Sequence, residues 1–67
     1  MSEVTINGEK RSVKGGLNVA QLLDELGVRQ HILIVELNGE IVRRESFDEA
    51  LVEDGDILEL IRVAGGG

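Results

Sequence analysis

The chain has 67 residues, with 13 acidic and 7 basic side chains and a net charge of −6. This length suits one domain with one small core, and the negative balance is the wrong sign for binding a phosphate backbone. The lack of cysteine excludes disulfides, thiolate chemistry and Cys-based zinc sites. No apolar stretch approaches the roughly 20 residues of a membrane span. "MSEVTINGEK" also lacks the basic start and apolar run of a signal peptide. The expectation is a cytoplasmic chain with no nucleic-acid or membrane partner.

In "EVTING" the alternation puts Val4 and Ile6 on one face and Glu3 and Thr5 on the other, the period of a half-buried strand. Asn7-Gly8 is the pair best suited to a type I′ hairpin turn. "EKRSV" can return as a second strand until Gly15-Gly16 breaks it. "NVAQLLDELG" predicts a helix, because Val19, Leu22, Leu23 and Leu26 fall at i, i+3, i+4 and i+7 and form one apolar stripe. Asn18 and Gln21 have capping-box spacing, and Gly27 is placed to end the helix in the left-handed conformation. "HILIVELNGEIV" predicts a second hairpin turning at Asn38-Gly39. An irregular link, "RESFDEALVEDGD", follows. In it Ser46 is a candidate cap for a single helical turn, and Asp54-Gly55 is a turn signal. "ILELIRV" is the last strand and leads straight into glycines.

Two hairpins and one helix make an α+β domain. If the first and last strands lie side by side at the centre, they are parallel and the helix forms the crossover. That is the β-grasp architecture, a mixed sheet of four to five strands with one helix packed across one face. Residues 1–63 are expected to form the domain and residues 64–67 a glycine tail.

The helix covers one sheet face, so alternation assigns the other. Val35, Leu37, Leu58 and Leu60 are expected to point inward. Ile34 then shares the open face with Glu36, and Ile61 and Val63 share it with Glu59. If these strands are neighbours, Ile34, Ile61 and Val63 form an apolar spot rimmed by Glu36, Glu59 and, at its edge, Arg62. Two readings stand: scattered surface aliphatics, or a patch that docks a partner. The acidic residues also crowd one region, from Glu45, Asp48 and Glu49 through Glu53, Asp54 and Asp56 to Glu59. That run reads either as a solvated face or as a surface that steers a basic partner.

The catalytic inventory is thin. His31 is the one histidine, with no Cys or Tyr to pair with it, and it reads as a surface residue. No carboxylate pair stands apart from the general surface charge, and no glycine-rich loop has phosphate-binding spacing. The expectation is a non-enzyme with no catalytic or metal-ligating residues and no bound cofactor. Past Val63 the chain runs Ala64, Gly65, Gly66, Gly67. Without Cβ atoms such a tail can thread a narrow channel and approach another backbone closely. An unhindered carboxylate on Gly67 is a poor electrophile that activation, for instance as an acyl-adenylate, would make reactive. The opposing reading is an inert linker.

At this point the residues resemble a known family. "LNGEIV", "VAQLLDELG", "DGDILELIRV" and a final "GG", in that order, are similar to the ThiS family of ubiquitin-like sulfur carriers in thiamin-thiazole biosynthesis. The resemblance spans almost the whole chain. It implies that an E1-like, ThiF-like adenylyltransferase uses ATP to adenylate the Gly67 carboxylate. A sulfur donor protein then converts the adenylate to a thiocarboxylate, which supplies the sulfur of the thiazole ring on a ThiG-like thiazole synthase. Carried over by position, Gly66 is the second glycine of the required pair, and Gly65 and Ala64 lie in the partner's channel. Two positions depart from the family pattern: Arg43-Arg44 stand where Pro-Arg is usual, and Phe47 stands where Trp is common. The alternatives are a carrier for molybdopterin, cysteine or tRNA thiolation, a ubiquitin-like protein modifier, or an interaction domain with inert glycines.

Overall fold

The computed structural model describes residues 1–29 and 33–62. The first hairpin is β1 (Ser2–Ile6) and β2 (Glu9–Val13), followed by α1 (Val19–Leu26). The second hairpin is β3 (Leu33–Leu37) and β4 (Glu40–Val42). A 3-10 turn (Arg44–Ser46) leads towards β5 (Ile57–Arg62). The sheet order is β2-β1-β5-β3-β4, with β1 parallel to β5 and the other pairs antiparallel. This is the expected ubiquitin-like β-grasp, with the first and last strands paired at its centre.

Local chemistry explains the elements. Asn7 and Gly8 have φ of 51° and 84°, and Asn38 and Gly39 have φ of 53° and 86°. These are the left-handed pairs a type I′ turn requires, and each closes a two-residue loop. The helix starts at a complete capping box. The Asn18 side chain accepts from the Gln21 N–H at 2.8 Å, and Gln21 Oε1 accepts from the Asn18 N–H at 2.9 Å. It ends at Gly27, φ 73°, whose N–H donates back to Asp24 and Leu23.

The core lies between α1 and one sheet face. Val4, Ile6, Val13, Val35 and Leu58 come from the sheet, and Val19, Leu22 and Leu23 from the helix. Each such burial is worth roughly 1.5–3 kcal/mol. Phe47 and Val52, both buried, come from the link. The sequence suggests only turns in that segment, yet it seals the end of the core. It also serves the helix N-terminus, whose first N–H groups have no partner within the helix. The Val19 N–H donates to the Ala50 carbonyl at 2.9 Å and the Ala20 N–H to the Phe47 carbonyl at 3.2 Å. Ser46 closes the 3-10 turn and opens a second turn over residues 47–49. The residue before the turn is Arg43, with no side-chain cap, while the Ser46 carbonyl accepts from Glu49 and Ala50.

Candidate functional site

The alternation of β3, β4 and β5 builds the open face. Ile34 lies directly opposite Ile61, Glu36 opposite both Glu59 and Ile41, and Ile57 is on the same face further along β5. Ile34 is 40% exposed, Ile61 44%, Ile57 53% and Ile41 66%. Four isoleucines thus share one uncovered surface, of which the sequence reading anticipated two. Ile41 and Ile57 could have been found from the same alternation, Ile41 because its hairpin register sets it across from Glu36. Half of the sheet carries this apolar surface. On the other half β1 and β2 present Glu3, Thr5, Lys10 and Ser12.

Glu36 and Glu59 stand side by side across the strands, Glu36 half-buried and Glu59 exposed. Like charges directly opposite in a sheet are mildly destabilising. Arg62 is exposed and placed differently from the expected rim. Its register partner is Leu33, so it alternates to the face of Leu60 and Leu58 and borders the patch only along the strand. A shallow concavity of about 490 Å³ adjoins the patch, lined by Ile34, Ile41, Val42, Arg43, Arg44 and Glu45. Arg43 and Glu45 approach to 3.7 Å there, both well exposed, a geometry worth little in stability.

The acidic run divides by role. Asp54 Oδ1 accepts from the Glu3 N–H at 2.7 Å, and Asp56 Oδ2 accepts from the Glu53 N–H at 2.8 Å. These two carboxylates fasten the turn that feeds β5. Glu45, Asp48, Glu49, Glu53 and Glu59 are exposed. Among the described residues no group of three or more His, Cys, Asp or Glu could hold a metal ion, and no helix is long and apolar enough to cross a membrane. His31, Val63, Ala64, Gly65, Gly66 and Gly67 lie outside the described residues.

β5 matters most to these last positions, because it runs into them. It is central, bonded to β1 on one side and β3 on the other. The asparagines of both Asn-Gly turns also grip it. Asn38 Oδ1 accepts from the Ile57 N–H at 2.9 Å, and Asn7 Oδ1 accepts from the Leu60 N–H at 2.8 Å. The turn role of these asparagines is visible in sequence; their reach to β5 is not.

Comparison with known proteins bears on this arrangement. The model of the ThiS family matches residues 4–67. The sulfur carrier protein ThiS of Escherichia coli (strain K12) is 32% identical over 65 residues, covering 97% of this chain and 98% of that protein. A thiazole synthase of Paramagnetospirillum magneticum is 43% identical over 65 residues, and this chain spans only 20% of its length. The crystal structure of the thiamine biosynthesis protein ThiS from Geobacter metallireducens superimposes with a TM-score of 0.85 at 46% identity, covering 97% of this chain and 99% of that one.

Proposed function

This chain belongs to the ThiS family, and we propose that it is a sulfur carrier of thiamine biosynthesis that bears its sulfur as a thiocarboxylate on Gly67. The carboxylate attacks ATP at the α-phosphorus, giving the acyl-adenylate and pyrophosphate on an E1-like enzyme. A hydrosulfide equivalent from a sulfur donor protein then adds to the acyl carbon. AMP leaves, a proton is released, and the COS⁻ group remains. ATP belongs to the partner, and this chain contributes a substrate end rather than catalytic side chains. The thiocarboxylate is then consumed on a thiazole synthase.

One observation carries this reading: the family match runs through the glycines that follow the central strand. A central strand gives the arm a fixed root, and five residues beyond Arg62 reach up to about 16 Å when extended. Residues 1–63 serve as the body and 64–67 as the arm. The open face of Ile34, Ile41, Ile57 and Ile61, with Glu36 and Glu59 set among them, suits docking of the adenylating partner. Two thiazole synthases in which a relative of this chain makes up a fifth of the length favour the thiazole pathway over other sulfur-transfer routes.

The test is the intact mass of the untagged protein from its own host. A species in which one oxygen is exchanged for sulfur, located to Gly67 by fragmentation, is the expected result. A chain that stays unmodified with the adenylating enzyme, ATP and a sulfur source sinks the proposal.

A further inference from the structure

We propose that Asn7 is a positioning residue that fixes the root of the C-terminal arm by standing in for a missing stretch of β1. This rests on the reading that the arm is delivered into an adenylating enzyme.

The ladder geometry carries the argument. The β1–β5 pairing ends at Ile6 opposite Leu58, and the Asn7 N–H still donates to the Leu58 carbonyl at 3.0 Å. In a continuing parallel strand, the next bond would run from the Leu60 N–H to the main-chain carbonyl of residue 7. That bond is not made, because Asn7 turns away with φ of 51° into the hairpin. Its side-chain Oδ1 takes the Leu60 N–H instead, at 2.8 Å, and Nδ2 makes a long 3.5 Å contact to the Leu60 carbonyl. The amide thus extends the sheet by one residue where the backbone has left it.

On its other edge this end of β5 is held by β3, through Leu60, Ile61 and Arg62 opposite Val35, Ile34 and Leu33. Asn7 holds the β1 edge. If Leu60 to Arg62 loosened, three more residues would be added to the length of chain that a partner must order. Every added free residue must be ordered when the arm threads a channel, which weakens productive binding. Asn38 is the internal control. It has the same turn position, the same left-handed backbone and the same kind of bond, but to Ile57 at the far end of β5.

The experiment compares full-length Asn7→Gly, Asn7→Asp and Asn38→Gly with the parent chain. Glycine tolerates the left-handed φ, so both hairpin turns survive. Two readouts are taken: amide exchange at Leu60, and the KM and kcat for the carrier in ATP–pyrophosphate exchange with the adenylating enzyme of the same host. Loss of one hydrogen bond should speed Leu60 exchange by roughly three- to tenfold in Asn7→Gly. KM should rise by a similar factor with kcat unchanged. Asn7→Asp keeps the acceptor oxygen and should recover most of both. Asn38→Gly should leave Leu60 exchange and KM at parent values. Equal effects of the two glycine variants on KM, or unchanged Leu60 exchange in Asn7→Gly, would overturn the assignment. A parent chain that supports no exchange at all would overturn the adenylation reading, and the anchoring would then stand or fall on Leu60 exchange alone.

Discussion

The two faces of this sheet are made from the same strands and nearly the same residue types, yet their isoleucines, valines and leucines have opposite fates. On the helix side Val4, Val35 and Leu58 are almost fully buried. One residue along, Ile34, Ile57 and Ile61 face water. Period-two alternation alone makes the difference. The first set accounts for folding. The second set leaves about half of each side chain in water, and it is the surface proposed above for docking.

That contrast can be broken or sharpened. The largest effect belongs to the covered side. Phe47→Ala removes a fully buried ring and should cost about 3–5 kcal/mol, read as loss of most of the folded population in a denaturant titration. On the open side, Ile34→Ser with Ile61→Ser should cost about 1 kcal/mol per site, well below the loss at Phe47. The same pair should weaken binding to the adenylating enzyme by on the order of 2 kcal/mol, measured by calorimetry. If binding survives, the open face is not the docking surface. Asn18→Ala removes the helix cap and should cost about 1 kcal/mol. It should lower affinity only as far as it lowers the folded fraction. The smallest effect is Glu36→Gln, which relieves the facing carboxylate pair and should raise stability by a few tenths of a kcal/mol, roughly the scale of one cross-strand pair. Thermal unfolding at low salt would detect it, and the gain should shrink as salt is added.

Much of this was legible in the sequence because its signals are local. Asn18, Gln21 and Gly27 specify both ends of the helix within ten residues, and two Asn-Gly pairs fix two hairpins. Alternation then assigned Ile34 and Ile61 to the open face. The link was opaque for a physical reason. Phe47 and Val52 follow neither a helical nor a strand period, and the partners of this segment lie far back in the chain. The Val52 N–H donates to Leu17, the Asn18 side chain donates to the Asp48 carbonyl, and Asn18 bridges to Leu51. Phe47, which looked like a departure within a loose connection, is a central core residue. The grip of Asn7 on Leu60 was equally hidden, since a turn residue displays its backbone preference and not a partner 53 positions away. Arg62 shows the limit of the patch argument: proximity in sequence suggested a shared rim, and register put it on the other face.

The central place of β5 has a mechanical consequence. A pull on the arm loads β5 along its own axis, between β1 and β3. Its bonds to both neighbours then resist together in shear, whereas an edge strand pulled away sideways would give up its bonds one at a time. The force also enters next to β1, the parallel strand at the opposite end of the chain. On the proposed reading, in which partner enzymes take hold of the tail, the load falls where the sheet is hardest to tear.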